Sequence, residues 1–297
     1  MIGDPSPFGA QPRVYRSRRD GVEIAVFQLA PGRGAPGQGA PGPWPAGRPP
    51  LLLVHGATAD HTTWRTVGPA FAETRPVYAV DRRGRGASGD AEAYRIEREF
   101  EDLATVAEAL AAEAGAPAID VAGHSYGGRC ALGASLLTPA IRRVVVYEGA
   151  PVPPGMSYRP PGLVDAVGAA MERGDNEAAL TTFLAGIVGM SETELDAYRA
   201  NPVWPARVAA AHTILREVEA ETSPAASIEA LSRVSVPVLL LLGSISRSPF
   251  RIGTDALAAS LAHAEIRVLE GAAHAAHHTH AAEFVAAVEA FLDEAGA

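Results

Sequence analysis

The stretch VAGHSYGG (121–128) carries Gly123-His124-Ser125-Tyr126-Gly127, a serine with a glycine two positions to either side. It closes an apolar run of strand length, AIDVAGHS (118–125), and opens a run with helical spacing, GGRCALGASLL (127–137). A turn this tight forces its central residue into strained backbone. Glycine is needed on both sides because strand and helix approach too closely for side chains. Ser125 is therefore expected at the top of a sheet, at the positive end of the following helix.

Five more apolar runs of strand length are bounded by turn residues: LLLVHG (51–56), PVYAVDRRG (76–84), IRRVVVYEGA (141–150), VPVLLLLGS (236–244) and EIRVLEGAAH (265–274). Their cores are continuous rather than alternating, as in strands buried on both faces. Helical patterns separate most of them, at 97–115, 127–137 and 254–264, and a last one at 281–296 closes the chain. The alternation predicts an α/β fold: a mostly parallel central sheet flanked by helices. RVYRSRRDGVEIAVFQLAP (13–31), with its Asp-Gly turn, reads as an antiparallel hairpin at the sheet edge. The Pro/Gly-rich segment 31–50 reads as a long surface loop.

Residues 151–232 interrupt the rhythm and read as mostly helical, with SETE (191–194) as a capping box. Ligands of parallel sheets sit beyond the carboxyl ends of the strands. An insertion leaving from such an end roofs the site, so 151–232 is expected to be a helical cap over a core formed by 1–150 and 233–297.

The 297 residues are 47% hydrophobic and 20% charged, enough for one large core with an insertion. A net charge of -9 and a pI near 5.5 argue against nucleic acid or an anionic membrane as partner. The arginine clusters RSRRD (16–20) and DRRGRG (81–86) read as solvated surface or loop structure. The single cysteine, Cys130, excludes an internal disulfide and fits a reducing compartment. With no apolar leader after a basic start and no run long enough to span a bilayer, a soluble cytoplasmic protein is expected.

A serine hydroxyl becomes a nucleophile only when a base takes its proton. EGAAHAAHHTH (270–280) offers His274 directly after the last strand's glycine turn, and His274 is the expected base. His277, His278 and His280 are expected to begin the next helix or decorate its surface; no carboxylate or cysteine nearby completes a metal site with them. Charge developing on a substrate carbonyl needs fixed donors. The Tyr126 N–H and the Ala57 N–H, in the loop after LLLVHG, are the expected pair. His55 and His124 are expected to bond loop backbone.

On LLLVHG with Trp64 beyond it, AVDRRGRGASG (79–89), GHSYGG, the 270–274 turn and the order of elements, the chain resembles an α/β-hydrolase with an inserted helical cap. The resemblance spans nearly the whole chain from about residue 13. It implies the family's fold and its serine–acid–histidine order. In most members the acid follows the penultimate strand, here VLLLLGSISRSPF (238–250), whose turn holds Ser244, Ser246 and Ser248 but no carboxylate. Asp255 lies beyond, where a helix has begun. Glu148, ending the run VVVY (144–147), sits at the strand where some relatives, notably among haloalkane dehalogenases, carry their acid. A charge at the end of an apolar strand needs a partner. Glu148 is the expected acid.

A serine nucleophile disfavours dehalogenase and epoxide-hydrolase chemistry and leaves acyl transfer to water: hydrolysis of esters, lactones or thioesters. Carbon–carbon hydrolysis and perhydrolysis use the same residues. A non-hydrolytic small-molecule binder is the competing class, favoured only by the empty acid turn, and a lyase is a weaker third. Phe183, Leu184, Ile187, Met190, Tyr198, Trp204 and Ile214 have helical spacing in the cap. Most of them are expected to be cap core, the rest to line a pocket for small to medium hydrophobic esters. Arg207 and His212 are placed by sequence equally well at the cleft or the surface. Neither a metal nor an organic cofactor is implied, and monomer and homodimer both remain open.

Overall fold

The computed structural model describes residues 7–9, 11–29 and 47–294. Most of the expected Pro/Gly-rich loop, 31–46, lies outside the described residues. Eight strands form one sheet in the order β1-β2-β4-β3-β5-β6-β7-β8. They are β1 (Arg13–Arg16), β2 (Glu23–Gln28), β3 (Leu51–Val54), β4 (Val77–Val80), β5 (Ile119–His124), β6 (Ile141–Tyr147), β7 (Val238–Gly243) and β8 (Ala264–Leu269). The first two make the edge hairpin, with Arg13 opposite Val26, and β2 runs antiparallel to β4. All other pairs are parallel.

Every residue of β3, β4 and β7 is buried. The period of two explains why continuous apolar runs were required. Leu52, Val54, Val121 and Val146 point to one face, where Phe100 and Leu103 of the helix Ile96–Ala114 and Cys130 and Leu132 of the helix Tyr126–Ser135 cover them. Leu51, Leu53, Ala122 and Val145 point to the other, against Phe71, Phe284 and Val288. Each such leucine or phenylalanine contributes about 1.5–3 kcal/mol on burial.

Between β6 and β7 the chain is helical, as expected: Leu163–Glu172, Asn176–Phe183, Glu192–Arg199, Trp204–Ala209 and Ile214–Ala220. Ser191 and Glu194 make the full capping box. The pattern PARVAAAHTILREVEAE is not one helix, because a 3-10 turn at Ala210–Thr213 divides it.

Two readings need correction. The helix expected at 254–264 runs Ser248–Ala258. Pro249 suits the first turn of a helix, where its missing N–H costs nothing, yet in sequence it reads equally as loop. DRRGRG is loop structure, one of the two readings given it, but it is not solvated surface. Arg82, Arg83 and Arg85 are buried, because acids from distant segments meet them. Arg83 Nε donates to Asp102 at 2.7 Å, and Arg82 Nη2 lies 2.6 Å from Glu99 and 2.5 Å from Glu217. Glu217 belongs to the helix Ile214–Ala220, so this network fastens that helix to the sheet. Among the described residues no helix is long and apolar enough to cross a membrane.

Candidate active site

Ser125 stands between β5 and the helix Tyr126–Ser135 with φ 53 and ψ -126. A Cβ on Gly123 would meet Gly127 O at 2.5 Å, and one on Gly127 would meet His55 O at 2.3 Å. Both glycines of the motif are thus demanded by close approach. Only three non-glycine residues among those described have positive φ: Thr58, Ser125 and Glu148. All three lie at carboxyl ends of parallel strands, where strain of about 1–3 kcal/mol each is concentrated.

Glu148 follows the end of β6, next to β5 in the sheet. Its buried carboxylate reaches past the end of β7 to the loop after β8. There Glu148 Oε2 accepts from His274 Nδ1 at 2.7 Å. Its Oε1 accepts from the Gly243 N–H at 2.8 Å and from the Ser246 hydroxyl. A carboxylate only accepts, so Nδ1 of His274 carries the proton and Nε2 is left as the acceptor of the neutral ring. The turn lacking a carboxylate therefore supplies donors that hold the carboxylate of the neighbouring strand. Asp255 lies inside the helix Ser248–Ala258.

The His274 loop is held from three sides. Tyr147, the residue before Glu148, donates its hydroxyl to Ala273 O and accepts from Ala276 N at 3.0 Å. His124 Nε2 donates to His274 O at 2.8 Å. Phe250 stacks on the His274 ring at 4.4 Å between centroids. His55 bonds loop backbone as expected: Nδ1 to Gly56 O at 2.8 Å, and Nε2 accepting from Arg82 N at 3.0 Å.

A cavity of about 800 Å³ opens over these residues, lined by Ala57, Ser125 and His274 below and by Phe183, Leu184, Ile187, Met190 and Tyr198 of the insertion above. Trp204 and Ile214 pack in the insertion's own core. Phe183, Leu184 and Ile187 belong to the same core, and Met190 and Tyr198 pack against it, so the residues singled out are cap core as expected while five of them also line the cavity. Ala57 lines it too. The Tyr126 N–H is the first of its helix, where an N–H has no intrahelical partner, while the Tyr126 side chain is buried against Arg82. Arg207 faces the cavity; His212 is exposed near Asp90.

His277 and His278 do begin a helix, Ala276–Thr279, but they are no surface decoration. His277 is 2% exposed and both line the cavity. Thr63 Oγ1 lies 3.4 Å from His277 Nε2 and 3.3 Å from His278 Nε2. Burial holds His124 and His277 well below the usual histidine range and pushes His278 down to about 4. Asp60, His61 and Asp81 bring ligand atoms within 4.8 Å of one another. Hydrogen bonds occupy them: His61 Nδ1 to Asp81 at 2.8 Å and Thr62 N to Asp60 at 2.9 Å.

Residues 51–288 match the model of the alpha/beta hydrolase family. The chain belongs to the α/β-hydrolase family. An α/β-hydrolase relative, the pimeloyl-[acyl-carrier protein] methyl ester esterase of Neisseria meningitidis serogroup B (strain MC58), is 30% identical over 264 residues, covering 82% of this chain and 92% of the relative. Among solved α/β-hydrolases, one from Sphaerobacter thermophilus is similar with a TM-score of 0.70 and 28% identity, over 92% of this chain and 99% of that one. The esterase RhEst1 from Rhodococcus sp. ECU1013 shares the fold, with a TM-score of 0.71 at 22% identity, over 96% of this chain and 100% of its own.

Proposed function

We propose that this α/β-hydrolase cleaves carboxylic esters, lactones or thioesters through an acyl-serine on Ser125. The chain is an enzyme of the carboxylic ester hydrolase class, in keeping with its family and with the esterase relative. The observation that carries the serine mechanism is the 2.7 Å bond from His274 Nδ1 to a carboxylate, Glu148, that is itself fixed by Gly243 and Ser246.

His274 Nε2 takes the Ser125 proton as Oγ attacks the substrate carbonyl, and Glu148 stabilises the imidazolium that forms. Negative charge on the carbonyl oxygen is met by the Ala57 and Tyr126 N–H groups; removing one such donor typically costs about 10²–10³ in turnover. His274 returns its proton to the leaving alcohol, and water attacks the acyl-serine by the same route. Residues 151–232 act as the cap, and their apolar side chains favour small to medium hydrophobic substrates. A non-hydrolytic binder was favoured only by the empty acid turn, and Glu148 gives His274 a carboxylate from the neighbouring strand.

The test is hydrolysis of p-nitrophenyl butyrate. Saturable turnover that Ser125→Ala abolishes is the expected result. Equal rates in the variant and the parent protein would remove Ser125 from the reaction.

A further inference from the structure

Arg207 sits in the roof of the cavity without an ion pair among the described residues. Its Nη1 has only two distant acceptors, Ala57 O at 3.3 Å and Thr58 Oγ1 at 3.2 Å, and its guanidinium rests on the Tyr198 ring at 5.6 Å. The rest of its planar fork has no protein acceptor among the described residues. The acids lining the same cavity do not answer it. Asp60 accepts from Thr62 N at 2.9 Å, and Glu194 accepts from Ser191 N at 2.8 Å. Glu148, which is not among the lining residues, is turned to His274. Two other arginines line the cavity, and neither pairs with an acid. Arg247 is spent on the carbonyls of Gly186 and Ile187, whereas Arg65 reaches only Asn201 at 3.4 Å and Thr62 O at 3.3 Å. The Arg207 charge also bears on His55, His124, His277 and His278 and helps keep each of them neutral. The cavity thus combines apolar walls with three arginines that have no acid partner among the described residues, and Arg207 is the one that stands beside the Ala57 turn.

We propose that the substrate carries a free carboxylate, gripped by Arg207 within reach of the scissile carbonyl. A guanidinium presents parallel N–H groups that match a carboxylate, and a half-buried one without a protein acid is satisfied when such a ligand arrives. This rests on the ester-hydrolase reading above and narrows its substrates to half-esters of dicarboxylic acids, or to esters and lactones bearing a carboxylate on the leaving side.

The experiment compares matched substrates that differ in charge: 4-nitrophenyl hydrogen adipate against 4-nitrophenyl hexanoate, and 3-carboxyphenyl butyrate against phenyl butyrate. In at least one pair the charged member should be favoured in kcat/KM by roughly 10- to 100-fold, the range of a hydrogen bond to a charged group. Arg207→Gln should bring that ratio close to one, and Arg207→Lys should keep part of it. A neutral preference in both pairs, or a ratio that Arg207→Gln leaves unchanged, overturns the proposal while the hydrolase reading stands. If no ester is cleaved, that reading fails, and binding to Ser125→Ala decides the carboxylate question. Calorimetry should then show monomethyl adipate binding more tightly than methyl hexanoate, with the difference lost in Arg207→Gln; equal binding overturns the proposal.

Discussion

Glu148 and His274, 126 residues apart, share a 2.7 Å hydrogen bond across the end of β7. The order β6-β7-β8 sets the span: the carboxylate starts on one strand, passes the next, and meets an imidazole from the loop after the third. Gly243 at the end of β7 must lack a side chain, since a Cβ there would meet Ala272 O at 2.3 Å and Ser246 Oγ at 2.7 Å. Its own N–H then becomes a donor to the carboxylate.

Glu148→Gln preserves size and burial but removes the negative charge that the imidazolium needs. Its kcat for an activated ester should fall by about 10²- to 10⁴-fold, in the range that loss of a triad acid produces. Circular dichroism and the urea midpoint should stay near the parent values. Wild-type turnover would take Glu148 out of the reaction.

Ser246→Ala and Tyr147→Phe probe the supports. Ser246 donates to Glu148, and Tyr147 ties Ala273 to Ala276 around His274. Ser246→Ala, which removes a hydrogen bond to a charged carboxylate, should lower kcat by about 10- to 100-fold, and Tyr147→Phe, which removes two neutral hydrogen bonds, by about 3- to 10-fold, each with KM little changed. A change confined to KM would assign these residues to substrate binding instead.

The two glycines of contrasting surroundings give a stability pair. Gly127→Ala places a Cβ 2.3 Å from the His55 carbonyl, so backbone must move and the loss should exceed about 3 kcal/mol. A Cβ on Gly168, inside the helix Leu163–Glu172, would meet nothing outside its own helix nearer than Leu215 Cδ1 at 4.0 Å. Gly168→Ala should stabilise by about 0.5–1 kcal/mol through helix propensity. Urea unfolding measures both.

The neutral histidines predict how stability follows pH. His278 titrates at about 4 in the folded protein, and His55, His124 and His277 lie well below their usual value. Unfolded histidines titrate near 6.5, so between about pH 4 and 6.5 the unfolded chain binds more protons, and stability rises with pH through that window. It is lost as pH falls below 6.5. The urea midpoint should climb from pH 5 to pH 7, and His278→Gln should make the climb shallower; identical slopes would contradict the assignment.

Local chemistry made much of this visible in the sequence. Ser125 and its glycines form one contiguous motif whose steric demand is written in neighbouring residues. Glu148 could be named because the β7 turn offers only serines, which left one strand-end carboxylate within reach. The rest depends on residues that meet only in the fold. Nothing near DRRGRG shows that Glu99, Asp102 and Glu217 will bury it, and nothing in SISRSPF shows that Ser246 turns back to Glu148. His277 has a surface-like sequence context, yet the helix it begins packs inward against Thr63 and Trp64. Pro249 fits a loop and a first helical turn alike, which is why that helix start was misplaced.

The acyl-serine claim is tested most directly by treating the protein with a fluorophosphonate and mapping the adduct by peptide mass spectrometry. One adduct on the peptide containing Ser125 is predicted, absent from Ser125→Ala and formed far more slowly in Glu148→Gln. An unmodified protein, or an adduct that persists in Ser125→Ala, would contradict it.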